Sequence, residues 1–211
     1  MQTRNVHVYV FDTLADWEVG HAIGYINTAE YQAQPGRYRT RSVGPTRAPV
    51  TTIGGLKVTP DLALADVSPE DSAMLILPGG ASWDRGGNAE AVELAKKFLA
   101  AGVPVAAICG ATGGLARAGV LDDRAHTSNA LQYLEYQPGY RGAASYREER
   151  AVRDKGLITA GSTAAVAFAR AIFETLEMYE KKVLDAWYGL FSTGDPKYFF
   201  ALMQATQPQQ R

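Results

Sequence analysis

The sequence is poor in the side chains that hold metals and cross-links. Its 211 residues include one cysteine, Cys109, and three histidines, His7, His21 and His126. A lone cysteine excludes an intramolecular disulfide and any cysteine-cluster metal site. No charge of one sign dominates: 21 Lys plus Arg stand against 22 Asp plus Glu, a formal net charge of -1. That balance supplies no broad field for nucleic acid or an anionic membrane. No apolar run approaches the roughly 18 residues of a membrane span. Met1 to Asn5 pass straight into a strand-like run, so no secretory signal is read and a cytoplasmic location is expected. What remains is ordinary globular composition, 46% hydrophobic and 20% charged, and a length that predicts a single domain over 1–211.

Short apolar runs alternate with helical periodicity along the chain. Asn5 to Phe11, Met74 to Leu77 and Val103 to Ile108 read as buried strands. A helix is expected from Asp16 to about Gln32, capped by Asp16, with Trp17, Ile23, Tyr25 and Ile26 on one face. Arg37 to Val43 alternates and sets Arg37, Arg39 and Arg41 in a row. The row reads as a solvated strand face, with anion binding as the alternative. Ala48 to Thr59 and Arg150 to Ala160 read as hairpins, and Arg124 to Ser128 as a brief strand. Helices are expected at 88–101, 111–118, 130–137 and 162–179, the last capped by Ser162 or Thr163. Two more follow at 181–191 and 196–203, before a frayed polar tail from Gln204 to Arg211. The pattern implies a mostly parallel sheet covered on both faces.

In such a sheet, sites form at the carboxyl ends of the strands. Cys109 stands where a strand passes directly into a small-residue helix, Ile108-Cys109-Gly110-Ala111-Thr112-Gly113-Gly114. That is the layout of a nucleophile elbow. A helix N-terminus favours a thiolate there. Leu77-Pro78-Gly79-Gly80 ends another strand, and the N–H groups of Gly80 and Gly110 are candidate oxyanion donors. Glu18, in the first turn of the first helix, is the candidate acid beside the thiol.

These residues resemble the ThiJ/PfpI superfamily, which is related to class I glutamine amidotransferases. The resemblance rests on Glu18, on Leu-Pro-Gly-Gly80, and on Ala-Ile-Cys109-Gly-Ala-Thr with the following Gly-Leu-Ala-Arg-Ala-Gly-Val-Leu-Asp. Gly161-Ser-Thr-Ala-Ala-Val-Ala-Phe-Ala matches a late helix of the same family. It implies a flavodoxin-like α/β fold, a three-layer sandwich with helices on both faces of the sheet. It also implies a homodimer, with Cys109 as nucleophile or oxidation site and Glu18 as its hydrogen-bonded acid. Residues 181–211 extend past the common core as a C-terminal helical addition.

One position departs from the family pattern. Many relatives carry a histidine 20 residues after the cysteine, where this chain has Asn129. His126 falls on the opposite strand face from 129, and His21 shares a helix face with Glu18; both are candidate partners of the thiol. Without the usual histidine, glutamine amidotransferase or protease activity is doubtful. The expected function is a cofactor-independent hydrolase, hydratase or lyase acting on a small electrophilic substrate, with no metal. The alternative is a stress sensor acting through oxidation of Cys109. Asn129 is a candidate pocket residue, as are Tyr146 and Arg147 in the irregular loop from Gly139 to Glu149.

Overall fold

The computed structural model describes residues 3–206. The strands are β1 (Arg4–Tyr9), β2 (Tyr38–Gly44), β3 (Val50–Thr51), β4 (Lys57–Val58), β5 (Leu62–Ala63), β6 (Ser72–Leu77), β7 (Val105–Ile108), β8 (Ala151–Asp154) and β9 (Leu157–Ala160). The α-helices are α1 (Asp16–Asn27), α2 (Ala81–Asp84), α3 (Ala89–Ala100), α4 (Gly110–Arg117), α5 (Leu131–Glu135), α6 (Ala165–Thr175), α7 (Lys181–Thr193) and α8 (Pro196–Thr206).

Seven strands form one sheet in the order β5-β2-β1-β6-β7-β9-β8. Every neighbouring pair is parallel except β8 with β9. Helices α1 and α6 pack on one face, and α3 and α4 on the other. This is a flavodoxin-like three-layer sandwich. The central strands show why: all of Ser72–Leu77 and all of Val105–Ile108 are buried. Burying a side chain such as Leu75 or Ile76 stabilises the fold by roughly 1.5–3 kcal/mol. On the α4 side, Trp83 is fully buried, and a Cβ on Gly114 would run into its ring. The small-residue character of α4 is thus the condition for seating that indole.

The chain crosses from β1 out to β2 and later back to β6 on the other side of β1. That switch brings the carboxyl ends of β1, β6 and β7 together at one edge. The hairpin of β3 and β4 lies outside the main sheet. It is fastened to the loop after β1 by Thr51 N–H on Asp12 Oδ1 (2.7 Å) and to the start of α1 by Gly54 N–H on Asp16 Oδ2 (2.8 Å).

Several expectations are corrected. Asp16 does not cap α1, because its carboxylate is committed to Gly54. Trp17 is 56% exposed, while Val19, Ala22 and Ile26 form the buried face. The helix stops at Asn27 because Gln32 Nε2 donates to Ile26 O (2.8 Å) and Thr28 O (3.0 Å). Arg124 to Ser128 is no strand. The Thr127 N–H donates to the Thr159 side chain (2.9 Å) in place of a ladder carbonyl, leaving only a bridge between His126 and Tyr146. Neither Ser162 nor Thr163 caps α6, which begins after Ala164 and ends before the left-handed Glu177 (φ 52°). Residues 204–206 are helical where a frayed tail was expected, and 207–211 lie outside the described residues. The added helices cover the α1–α6 layer. Trp187 of α7 meets Phe173, Tyr25 and Phe191, and Tyr179 Oη donates to Tyr25 O (2.8 Å). Among the described residues, no helix is long and apolar enough to cross a membrane.

Candidate functional site

Cys109 follows β7 and caps α4 with φ 56° and ψ −123°, a conformation L-residues rarely adopt. Its backbone is held on both sides. The Cys109 N–H donates to Ala160 O (3.0 Å), and Cys109 O accepts from Thr112 N–H (3.0 Å) and Thr112 Oγ1 (2.6 Å). With that hydroxyl proton committed, Ser128 Oγ donates in turn to Thr112 Oγ1 at 2.6 Å. The elbow is therefore built into the hydrogen-bonding of β9, α4 and the loop before α5. The sequence pattern gives its position but not this bracing.

Glu18 is fully buried beside the thiol. Its Oε2 accepts from Gly79 N–H at 2.6 Å. Among the described residues no N–H or O–H donates to Oε1; the carboxyl's other interaction is with the Cys109 thiol. Burial pushes Glu18 up to about 7, against the pull of the Gly79 N–H and the thiol. Burial, then the Glu18 charge, pushes Cys109 up to about 11, against smaller opposing help from the Asn129 amide and Gly110 N–H. Both causes act against the thiolate that a helix N-terminus was expected to favour. Desolvation and a neighbouring carboxylate outweigh the end of a short helix.

Gly79 makes the approach possible. A Cβ there would stand 2.7 Å from both the Cys109 Cβ and Glu18 Oε2. Gly110 N–H lies at the sulfur. Gly80 pairs with Leu14 across the loop after β1, and a Cβ on it would strike Thr13 O.

Asn129 occupies the position where the family resemblance led to the expectation of a histidine. Its Nδ2 lies 3.5 Å from Cys109 Sγ, and its Oδ1 accepts from Ser162 N–H at 2.8 Å. A cavity of about 470 Å³ opens beside it, lined by Asn129, Tyr146, Glu148, Ser162 and Thr163 among others. Arg147 lies instead on a separate groove with Arg150, Arg153 and Arg170, and its guanidinium donates to Tyr146 O (2.9 Å).

The two candidate histidines do not join the thiol. Both ring nitrogens of buried His126 are occupied, Nδ1 with Arg124 O (2.7 Å) and Nε2 with Tyr140 Oη (2.7 Å). His21 turns to α7, with its ring 5.1 Å from Phe191 and 6.1 Å from Trp187. A residue the motifs did not reveal does come near. Tyr133 of α5 donates to Asp84 Oδ1 (2.8 Å), and its phenol is pushed up by burial, then by Asp84, with the Cys109 charge adding to this. Among the described residues no set of three His, Cys, Asp or Glu side chains gathers as metal ligands.

Comparison with known proteins agrees with this geometry. The model of the DJ-1/PfpI family matches residues 4–175. A Bacillus subtilis protein named "Uncharacterized protease YoaZ" is 38% identical over 205 residues, covering 96% of this chain and 98% of that one. The crystal structure of a ThiJ/PfpI family protein from Bacillus anthracis superposes with TM-score 0.90 at 38% identity, covering 97% of this chain and 98% of that one. Shorter matches carry activity names. "Deglycase PfpI" of Pyrococcus furiosus is 41% identical over 80 residues, 37% of this chain and 48% of that protein. "Glutathione-independent glyoxalase DJR-1.2" of Caenorhabditis elegans is 29% identical over 140 residues, 65% of this chain and 73% of that protein. A braced cysteine elbow, a buried carboxyl against it and agreement along nearly the whole chain lead to one statement: the chain belongs to the DJ-1/PfpI family.

Proposed function

We propose that this protein is a cysteine-dependent enzyme that adds the Cys109 thiol to small reactive carbonyl compounds, without a cofactor. The observation that carries the reading is the fully buried Glu18 carboxyl set against the Cys109 thiol at the elbow, with burial pushing the carboxyl up to about 7. A carboxylate of that basicity is a general base suited to neutral pH. As sulfur bonds to an aldehyde carbon, the thiol proton passes to Glu18, and the C=O electron pair moves to oxygen. The N–H groups of Gly80 and Gly110 hold the developing oxyanion. Neutral Glu18 then returns its proton, giving a hemithioacetal. With a 1,2-dicarbonyl, Glu18 shuttles a proton from C1 to C2, and water releases the 2-hydroxy acid. Carbon is oxidised at one atom and reduced at the next, so no external oxidant is needed. The names glyoxalase and deglycase among relatives support this substrate class.

Among the described residues no imidazole reaches the thiol, which leaves Glu18 as the one acid beside it, and an amide leaving group demands more of that acid than a carbonyl addition does, so peptide cleavage is disfavoured. We take the working unit to be a cytoplasmic homodimer; light scattering of the purified chain tests the dimer. The direct test of function is the disappearance of methylglyoxal. Wild type should show saturable turnover, Cys109→Ser none, and Glu18→Gln at least about a hundredfold less. Absence of wild-type turnover on glyoxals and aldehydes sinks the proposal.

A second reading, oxidative sensing, is favoured by Glu18 Oε1, which has no donor of its own and in the protonated carboxyl can donate to a sulfinate. Under mild peroxide Cys109 should then pause at a gain of two oxygens, and Glu18→Gln should shorten the pause. Passage straight to the sulfonate removes that reading.

A further inference from the structure

Toward the end of the sheet away from Cys109, β1, the middle of β2 and the segment leading into β6 line a cavity of about 480 Å³. His7 lies on its wall and is 2% exposed. A hydrogen-bonded chain fixes its tautomer. Ser72 Oγ donates to Ser68 O (2.6 Å), so the same oxygen accepts from His7 Nδ1–H at 2.9 Å. The imidazole is therefore protonated on Nδ1 and carries a lone pair on Nε2. Burial, reinforced by Arg41 and opposed by Asp71, lowers its pKa to about 4, so the ring stays neutral at physiological pH. Among the described residues Nε2 has no partner. A buried acceptor left unmet is costly and calls for an explanation.

Two opposite charges share the cavity wall with His7 and act on its ring. Arg41 is the register partner of His7 on β2, so both side chains lie on one face of the sheet. Its neighbour in the arginine row, Arg39, is committed to Asn5 Oδ1 (2.9 Å). Arg4, also on the wall, is committed to Ser72 O (2.8 Å), and Asp66 to Arg47 (2.9 Å). Arg41 and Asp71 line the same cavity, and among the described residues neither side chain makes a hydrogen bond or salt bridge, although the Arg41 charge acts on the Asp61 carboxylate that Ser42 holds. One cation and one carboxylate free of side-chain hydrogen bonds among the described residues, with one lone pair, make a complementary set for a small ligand bearing both an anion and a strong N–H donor.

We infer that this cavity is a binding site for a small zwitterion of the α-amino acid class, with its carboxylate on Arg41 and its ammonium shared by Asp71 and His7 Nε2. Such ligands fit easily within the volume. Nε2 is itself covered, so the ammonium reaches it only as the cavity wall gives way around it. The site shares no residue with the thiol centre and stands independently of the function proposed there.

The test is NMR titration of the full-length ¹⁵N-labelled protein with L-alanine, N-acetyl-L-alanine and L-alaninamide. L-Alanine should saturate and move the His7 Nε2 resonance. The acetylated and amidated forms, each lacking one charge, should bind at least about tenfold more weakly, as expected for the loss of a charged hydrogen bond. Arg41→Gln and Asp71→Asn, both at the cavity wall rather than in the core, should each weaken L-alanine by a similar factor. Cys109→Ser should bind as wild type does. Three results overturn the inference: no His7 Nε2 shift at tens of millimolar L-alanine, equal binding of N-acetyl-L-alanine, or affinity untouched by both wall substitutions.

Discussion

The Asn129 amide is locked in one orientation between Ser162 and Cys109. Its oxygen accepts the Ser162 N–H at 2.8 Å, so its NH2 is the end that meets Sγ at 3.5 Å. The residue standing where the family resemblance led to the expectation of a histidine is thus a fixed hydrogen-bond donor to sulfur and cannot act as a base.

Removing that donor should raise the Cys109 pKa further. In Asn129→Leu, the rate of iodoacetamide alkylation at pH 8 should fall about tenfold, with the pH profile displaced upward. Asn129→Asp keeps the acceptor for Ser162 but sets a negative charge beside the sulfur, and should fall further. An unchanged profile in both variants would mean that the amide does not act on the thiol.

Glu18 acts on the same group with the opposite sign. Its charge is the second cause, after burial, of a Cys109 pKa of about 11. Glu18→Gln should therefore lower the apparent pKa of alkylation by about one unit or more while cutting turnover at least about a hundredfold, because the general base is gone. In the wild type, kcat/KM should rise as pH rises through about 7, following ionisation of Glu18. A profile flat from pH 6 to 8 removes Glu18 as the base.

The same shift predicts a stability profile. Folding raises the Glu18 pKa from 4.5 to about 7, so the folded state binds this proton more tightly. The resulting stabilisation is complete below pH 4.5 and is lost as pH rises through about 7. Urea unfolding of wild type should weaken across that window, relative to Glu18→Gln, by on the order of 2–3 kcal/mol. Parallel profiles for the two proteins would show that Glu18 is not held neutral in the fold.

His126 should prove structural. Its two hydrogen bonds, to Arg124 O and Tyr140 Oη, are internal to the fold. His126→Phe should cost about 2 kcal/mol or more of stability and leave kcat per folded molecule within about twofold. A large loss of kcat with an unchanged melting temperature would restore it as a site residue.

Gly79→Ala tests the closeness of the three strand ends. The added methyl would meet the Cys109 Cβ, Glu18 Oε2 and Gly110 N, two of which are themselves part of the proposed chemistry. Activity should vanish, and stability should fall by about 1–3 kcal/mol as the elbow shifts. Retained activity would mean that the backbone relaxes more freely than the packing around Trp83 suggests.

Much of this arrangement is legible in the sequence because it depends on local rules. Fully apolar runs such as Met74 to Leu77 can only be buried strands, and Ile108-Cys109-Gly110 announces a turn into a helix. Glu18, Gly80 and Cys109 become recognisable together through their combined motifs. What escapes is decided by contacts across the chain. The orientation of Asn129 is set by a backbone N–H 33 residues away. The loss of the strand at 124–128 follows from a threonine hydroxyl on β9. The placement of His21 against α7 depends on helices packed outside the common core. The high thiol pKa was missed for a similar reason. A helix N-terminus is visible in sequence, whereas the burial that overrides it is not.

The left-handed backbone of Cys109 also bears on how this chain can change over generations. A residue held at φ 56° and ψ −123° costs the native state about 1–3 kcal/mol, and glycine alone relieves it. Cys109→Gly should thus give a more heat-resistant molecule with no chemistry. A duplicated copy released from its substrate would drift downhill toward glycine at this one position. A copy that keeps cysteine there does so against a standing thermodynamic incentive.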